Sequence, residues 1–123
     1  MAVEIWINPA CSKCRSAKAG LDEAGIEYVE RRYLETPPTP AELADVLARL
    51  HLEPWDIARP AEARDAGIDL PREATHRDAW IAALAAHPRA IQRPIITASD
   101  GSAVVARDPQ TLASVVEREQ GLD

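Results

Sequence analysis

The alternation of apolar and polar positions predicts strands at both ends of the chain and helices between them. Four segments are predicted as strands: Ala2–Ile7, Glu27–Tyr33, Ile95–Ala98 and Ala103–Ala106. The first is apolar and β-prone and ends at the turn-forming dipeptide Asn8-Pro9. The last two are joined by a short polar loop containing Asp100-Gly101, which is typical of a hairpin.

Apolar residues at helical spacing predict the helices. They are expected at Ser12–Ala24, at Ala41–Leu50, at Arg77–Ala86 and from Asp108-Pro109 onward. Thr39, followed by Pro40 and Glu42, has the pattern of an N-cap with a proline at the first helical position. Residues 53–75 are less regular, with short helices expected around Trp55 and at Glu62–Ala66. The tail Gln120–Asp123 is expected to fray.

The order of these elements predicts the fold class. It runs β-α-β, then a helical stretch, then β-β-α. A β-α-β opening implies a parallel pair with a right-handed crossover, and the later hairpin adds an antiparallel edge. This is the order of an α/β thioredoxin-like fold with a mixed sheet. We expect a single domain over residues 1–123, with a helical insertion at about 36–88.

Composition narrows the function classes. The chain has 123 residues, 46% of them hydrophobic, which is enough for one globular core. The formal charge of −6 argues against nucleic-acid binding and against a membrane-surface role, since both favour a basic footprint. No apolar run approaches the length of a membrane span, and the N-terminus lacks the pattern of a signal peptide. We therefore expect a cytoplasmic protein.

The cysteine pair Cys11 and Cys14 is the main chemical signal. In a reducing compartment a permanent disulfide is disfavoured, and zinc would need ligands that His51, His76 and His87 do not supply at a paired spacing. We expect no metal. Cys11 falls at a strand-to-helix turn, where helix amides and the dipole favour a thiolate, and Cys14 follows one turn later as a candidate resolving thiol. A pair of cysteines that simply packs in the core is the alternative.

Four blocks distributed along the chain resemble the ArsC/Spx family, and are most similar to its glutaredoxin-coupled arsenate reductases. The blocks are "NPACSKCR" at 8–15, "YLETPPTPAEL" at 33–43, "HPRAIQRPII" at 87–96 and "VVARDPQTL" at 104–112. They occur in order over about residues 3–118. The resemblance implies a thioredoxin-like fold with an inserted helical region, in agreement with the element order. It also implies a role in arsenic detoxification.

The resemblance assigns roles residue by residue. Cys11 matches the family nucleophile, which forms a thiol–arsenate adduct on the way to arsenite. Arg93 and Arg107 match two of three arginines around the phosphate-like arsenate oxyanion, and Arg59 aligns with the third. Pro94 matches the family's cis-proline. No bound cofactor is implied, but a thiol reductant is required: thioredoxin, glutaredoxin or a low-molecular-weight thiol.

Two departures from the family pattern leave open both the reductant and functions other than arsenate reduction. Many arsenate reductases carry a histidine where this chain has Ile7, and those that use glutathione directly usually lack a cysteine at the position of Cys14. The second departure makes thioredoxin or another dithiol donor the more plausible reductant. One alternative is an Spx-like redox-switch transcriptional regulator that binds RNA polymerase. Another is a general thiol–disulfide oxidoreductase. An arginine at the position of Arg107 favours the reductase.

Overall fold

The computed structural model describes residues 2–121 as a mixed α/β fold. The strands are β1 (Val3–Ile7), β2 (Tyr28–Arg32), β3 (Ile95–Thr97) and β4 (Ala103–Val105). The α-helices are α1 (Ser12–Glu23), α2 (Pro40–Leu50), α3 (Pro60–Asp65), α4 (Arg77–Ala86) and α5 (Pro109–Gln120). Short 3₁₀ turns lie at Pro54–Ile57, Ala74–His76 and Pro88–Ala90. None of the helices in this part of the chain has the length and apolarity needed to cross a membrane.

The strands form one four-stranded sheet in the order β2-β1-β3-β4. β1 pairs with β2 in parallel, and β3 pairs antiparallel with both β1 and β4. The parallel opening pair and the antiparallel hairpin at the edge are the pairings that the sequence predicts. In the hairpin loop, Gly101 has φ +91° and the Asp100 carboxylate accepts a hydrogen bond from the Ser102 amide at 2.8 Å. The Asp-Gly signal is therefore confirmed as a turn.

The start of α2 shows why that helix was predictable. The Thr39 hydroxyl accepts from the Glu42 amide at 3.1 Å, and the Glu42 carboxylate accepts from the Thr39 amide at 3.0 Å. This reciprocal capping box satisfies two amides that a helix start otherwise leaves unpaired, and Pro40 needs no partner at the first position.

Element ends differ from prediction by a residue or two. α1 ends at Glu23 because Ala24 is its C-cap and Gly25, with φ +71°, turns the chain away. Gln120 is helical rather than frayed; residues 122 and 123 of the predicted frayed tail lie outside the described residues. The 3₁₀ turns at Ala74–His76 and Pro88–Ala90 had no periodic signal and were missed.

The residues of the chain cluster into two compact units. One contains the residues up to Tyr33 together with those from Arg93 onward, and the other is Leu34–Gln92. In the first unit a hydrophobic core lies between one face of the sheet and the helices α1 and α5, built from Val3, Ile5, Ile7, Cys14, Ala17, Leu21, Ile96, Ala106 and Val115. The second unit is helical and buries one face of α2 together with α4, through Leu43, Val46, Leu47, Leu50, Trp80, Ile81 and Leu84.

Candidate active site

Strand pairing brings the loop before Cys11 and the segment that begins at Tyr33 to the same end of the sheet. Ile7, the last residue of β1, pairs with Arg32, the last residue of β2. Because these strands are parallel, the loop that starts at Asn8 and the segment that starts at Tyr33 leave the sheet at the same edge. Ligand sites in α/β sheets form at this carboxyl end of parallel strands.

The antiparallel strands bring the arginines to the same edge. Ile95, the first residue of β3, lies between Trp6 of β1 and Val105 of β4. The residues just before β3, Arg93 and Pro94, and those just after β4 therefore leave the sheet where β1 ends. A backbone hydrogen bond from Ala106 to the carbonyl of Pro94, 2.9 Å, holds these two segments together.

The loop after β1 places Cys11 at the start of α1. The Asn8 side chain accepts a hydrogen bond from the Ala10 amide at 3.0 Å, and its carbonyl accepts from the Cys11 amide at 2.9 Å. This Asx turn ends with Cys11 as the N-cap of α1, with φ −87° and ψ 125°. Its sulfur therefore lies at the positive end of the helix dipole, as the sequence predicts.

The environment of Cys11 favours its thiolate. The side chain is partly exposed, and the neutral thiol makes no capping hydrogen bond. Partial burial opposes ionisation, but the Cys14 amide, the Arg93 guanidinium, the Cys14 thiol and the Lys13 amide together outweigh it and lower the Cys11 pKa to about 7. Near neutral pH a large fraction of Cys11 is therefore a nucleophilic thiolate.

Cys14 has the opposite character. Its side chain is fully buried in the core of the first unit, and the Asn8 amide points at its sulfur at 3.5 Å. Burial raises the pKa of Cys14 to about 12, and the neighbouring Cys11 adds to this rise. One cysteine is thus partly exposed with a lowered pKa, and the other is a buried, protonated thiol one helical turn away.

Arg93 and Arg107 are joined across the strand pairing. The Arg107 Nη1 donates to the main-chain carbonyl of Arg93 at 2.6 Å. The peptide bond between Arg93 and Pro94 is cis. Arg93 contributes to the lowered pKa of Cys11, so its guanidinium lies beside the reactive sulfur. The first unit therefore brings together Cys11, Cys14, Arg93, Pro94 and Arg107.

Arg59 belongs to the second unit, and its contacts are made there. Its amide donates to the Ala90 carbonyl at 2.7 Å. Its guanidinium pairs with the Glu62 carboxylate at 2.8 Å and makes a long contact of 3.4 Å with the Arg89 carbonyl. The guanidinium that the family resemblance aligns with the oxyanion site is thus bound to a carboxylate three residues further along the chain.

Tyr33 is a residue of this site that the sequence analysis did not assign. Its side chain is 1% exposed, and its O–H finds no acceptor among residues 2–121. Burial raises the pKa of Tyr33 to about 12; the Arg93 guanidinium opposes the rise, and the two cysteine sulfurs add to it. The available signal was its position as the first residue of the "YLETPPTPAEL" block, at the end of a predicted strand.

The side chain of Ile7, at the position where many arsenate reductases carry a histidine, is buried in the hydrophobic core. It is 3% exposed and belongs to the same apolar cluster as Cys14. The activation of Cys11 in this chain therefore comes from helix amides and Arg93, with no cation from position 7. Within residues 2–121 there is no group of three or more histidine, cysteine and acidic side chains arranged to hold a metal ion.

The comparisons with known proteins agree with this architecture. The model of the ArsC family matches residues 6–115. An arsenate reductase of Neisseria meningitidis is 35% identical over 93% of this chain and 97% of its own length. A protein from the glnII region of Streptomyces viridochromogenes is 56% identical over 94% of this chain and 100% of its own.

Among solved structures, the arsenate reductase from Vibrio cholerae superimposes with a TM-score of 0.83 at 34% identity, covering 94% of this chain and 98% of that one. The predicted thioredoxin-like α/β fold is thereby confirmed. The family match begins in β1, extends through Cys11, Tyr33, Arg93 and Arg107, and ends in α5. The chain belongs to the ArsC family.

Proposed function

We propose that this protein is an arsenate reductase that uses the Cys11 thiolate as nucleophile and Cys14 as resolving thiol. The observation that carries the proposal is the position of Cys11 at the N-terminus of α1 with the Arg93 guanidinium beside its sulfur. That arrangement offers a nucleophile and an anion-binding cation at the same place. The similarity to bacterial proteins named arsenate reductase supports the choice of substrate.

Arsenate suits the charges of the site. It is a tetrahedral dianion near neutral pH, and guanidinium groups bind such oxyanions through paired, charge-assisted hydrogen bonds. Arg93 supplies one guanidinium. Arg107 supplies the N–H groups that are not engaged in its hydrogen bond to the Arg93 carbonyl. We retain Arg59 as the third arginine of the proposal, with its ion pair to Glu62 as a competing interaction.

The proposed chemistry proceeds in two substitutions. The Cys11 thiolate attacks arsenic and displaces one oxygen as hydroxide or water, which gives a thiol–arsenic(V) adduct. Cys14 then loses its proton and attacks the Cys11 sulfur, so that a disulfide forms as the sulfur–arsenic bond breaks. The electron pair of that bond stays on arsenic, which leaves as arsenite. The arginines stabilise the charge that develops on the oxygens.

The disulfide must be reduced for another turnover. A dithiol donor of the thioredoxin kind is the reductant we favour, because Cys14 offers an intramolecular disulfide as its target. Glutaredoxin with a low-molecular-weight thiol is the other candidate. Both reductants place the reaction in a reducing compartment, and we propose that the protein works in the cytoplasm.

A coupled assay tests the proposal. Purified protein is mixed with thioredoxin, its reductase and NADPH, and NADPH loss is followed when arsenate is added; a parallel assay uses glutathione, glutaredoxin and glutathione reductase. Arsenate-dependent activity that is absent from Cys11→Ser and falls steeply in Arg93→Ala is the expected result. No activity in either system rejects the proposal.

A general thiol–disulfide oxidoreductase is the second candidate. The asymmetry of the two cysteines, one partly exposed with a lowered pKa and one buried with a raised pKa, is also what dithiol exchange requires. Reduction of a model protein disulfide without arsenate turnover would favour it. Capture of RNA polymerase by the oxidised protein, again without turnover, would favour the Spx-like regulator.

A further inference from the structure

The buried hydroxyl of Tyr33 is a hydrogen-bond donor that takes part in no step of the proposed arsenate reduction. Tyr33 follows β2 at the edge of the sheet where the Cys11 loop begins, and it is 1% exposed. Its O–H finds no acceptor among the residues that the structure describes, although the Arg93 guanidinium lies beside the phenol oxygen and favours its ionised form. Buried hydroxyl groups in folded proteins are nearly always paired, because an unpaired one has lost its hydrogen bonds to water and gained none within the protein. A buried O–H without an acceptor, beside a candidate reactive centre, suggests that its acceptor forms during the reaction.

The neighbours of Tyr33 limit what that partner is. The Arg93 guanidinium can donate a hydrogen bond to the phenol oxygen, but a guanidinium has no acceptor atom, so the Tyr33 proton still lacks an acceptor. The other groups whose charge acts on the phenol are the two cysteine sulfurs, which become strong acceptors only as thiolates. Cys11 is partly exposed and its thiolate already has the helix amides and Arg93 as donors. Cys14 is as deeply buried as Tyr33 and has the Asn8 amide as a donor at 3.5 Å.

We propose that the Tyr33 hydroxyl donates a hydrogen bond to the Cys14 sulfur as that sulfur becomes a thiolate, and that this bond speeds the resolving step. The inference rests on the resolving role of Cys14 in the proposed function. A donor fixed where charge develops stabilises the transition state more than the ground state. Tyr33 keeps its own proton; the Cys14 proton passes to solvent. The Cys14 sulfur bonds to the Cys11 sulfur, and the electron pair of the broken bond goes to the leaving group.

The resolving step can be measured without arsenate by adding dithiobis-nitrobenzoate to the reduced protein. The Cys11 thiolate attacks this disulfide, releases one coloured thiolate and retains the other as a mixed disulfide. Cys14 then displaces the second coloured thiolate and closes the bond to Cys11. The chain contains 2 cysteines, so the second release reports Cys14 alone, and Cys14→Ser is expected to abolish it.

Tyr33→Phe removes the hydroxyl and leaves the ring in place. We expect the second release to slow by roughly tenfold or more, as for loss of a hydrogen bond to a charged group, with the first release unchanged. Tyr28→Phe is the matched control, because it deletes the other phenol of the chain, which bonds to Asp22 at 2.7 Å. That control is expected to leave both releases unchanged.

A second arm separates hydrogen bonding from packing. In a Tyr28→Phe background Tyr33 is the single tyrosine, so growth on 3-fluorotyrosine labels it alone. The fluorinated phenol is more acidic and therefore a stronger donor, and we expect it to speed the second release. A packing role would not follow the acidity of the phenol. This arm decides the matter if Tyr33→Phe does not fold.

The outcomes that overturn the inference are distinct from those that overturn the proposed function. The inference fails if Tyr33→Phe leaves the second release unchanged, if it slows only the first release, or if fluorination has no effect. It also fails if Tyr33→Phe weakens only the protection of Cys11 by inorganic phosphate, which would place the donor on the oxyanion. Absence of arsenate turnover with a Tyr33-dependent second release rejects the proposed function alone.

Discussion

The Nη1 of Arg107 donates a hydrogen bond of 2.6 Å to the main-chain carbonyl of Arg93. This bond joins a residue two positions beyond the end of β4 to the segment that precedes β3, so one arginine positions the backbone of the other. Because Arg93 lies beside Cys11, the two guanidinium groups and the reactive sulfur form one connected arrangement. We therefore expect Arg107 to act in two ways, as a cation for the proposed oxyanion and as a support for Arg93.

These two roles of Arg107 are separable by substitution. Arg107→Lys keeps the charge but replaces the planar fork by one ammonium nitrogen, which cannot hold the Arg93 carbonyl and also offer an oxyanion the paired hydrogen bonds of a guanidinium. We expect kcat/KM for arsenate to fall roughly tenfold or more in Arg107→Lys, and further in Arg107→Ala. Steady-state kinetics check this. Equal activity of the lysine variant and the wild type would contradict the supporting role.

The rate at which Cys11 is alkylated should follow its lowered pKa. Burial opposes ionisation, but the Cys14 amide and the Arg93 guanidinium outweigh it, and the pKa is about 7. The thiolate fraction falls as pH drops through that value, so the rate with iodoacetamide should be half-maximal near pH 7 and decline about tenfold per unit below it. Rates measured from acid to mildly alkaline pH give the midpoint.

The same titration tests the contribution of Arg93. In Arg93→Ala the midpoint should move to higher pH, because the guanidinium that favours the thiolate is lost. Cys11→Ser serves as the control and should show little alkylation over this range, since burial raises the pKa of the remaining cysteine to about 12. A midpoint in Arg93→Ala equal to that of the wild type would show that Arg93 does not influence Cys11.

Cys14→Ser should separate adduct formation from turnover. Cys11 keeps its helix amides in this variant, so its attack on arsenate should persist, whereas no internal thiol remains to release arsenite. We expect thioredoxin-linked turnover to fall by more than about tenfold, with partial recovery on adding a small thiol. NADPH consumption measures both. Full thioredoxin-linked turnover in Cys14→Ser would show that the resolving thiol comes from elsewhere.

Arg59 should matter less than Arg93. Its guanidinium is already paired with Glu62 at 2.8 Å, so binding an oxyanion must compete with that carboxylate. We expect Arg59→Ala to raise KM for arsenate by a smaller factor than Arg93→Ala, and Glu62→Gln to lower KM by releasing the guanidinium. Saturation curves for the three variants provide the comparison. Unchanged kinetics in Arg59→Ala would remove it from the substrate site.

The capping box of α2 offers a test of stability away from the cysteines. Thr39→Ala leaves the Glu42 amide unpaired at the start of the helix and should cost about 1 kcal/mol of unfolding free energy. Thr39→Ser retains a hydroxyl and is expected to recover most of the loss. Urea unfolding of the three proteins measures the difference. An alanine variant as stable as the wild type would mean that water caps the helix equally well.

Local patterns made the elements of the fold predictable. The capping box at Thr39 and the Asp100-Gly101 turn work through residues a few positions apart, so their signals are contained in short stretches of sequence. The 3₁₀ turn at Ala74–His76 has too few residues to show a period and was missed. The position of Cys11 as an N-cap followed from the strand before it and the helix after it.

The candidate site was predictable only in part, because some of its properties depend on distant residues. Nothing next to Tyr33 in the sequence indicates a buried hydroxyl, because its neighbourhood is formed by Cys11, Cys14 and Arg93 from other segments. The pairing of Arg59 with Glu62 is local, but it competes with many other rotamers that sequence cannot rank. The opposite pKa shifts of the two cysteines likewise follow from burial, which spacing alone does not specify.

The burial of Cys14 links the redox state of the protein to the packing of its interior. Its side chain belongs to the apolar cluster that includes Ile7, Leu21 and Ile96, and the proposed disulfide would bond its sulfur to that of Cys11 at the start of α1. Since interiors are packed as densely as organic crystals, the apolar side chains around it must readjust. In the proposed reaction the oxidised and reduced chains therefore differ in interior packing as well as at the two sulfurs, so reduction of the disulfide also restores the packing around Cys14.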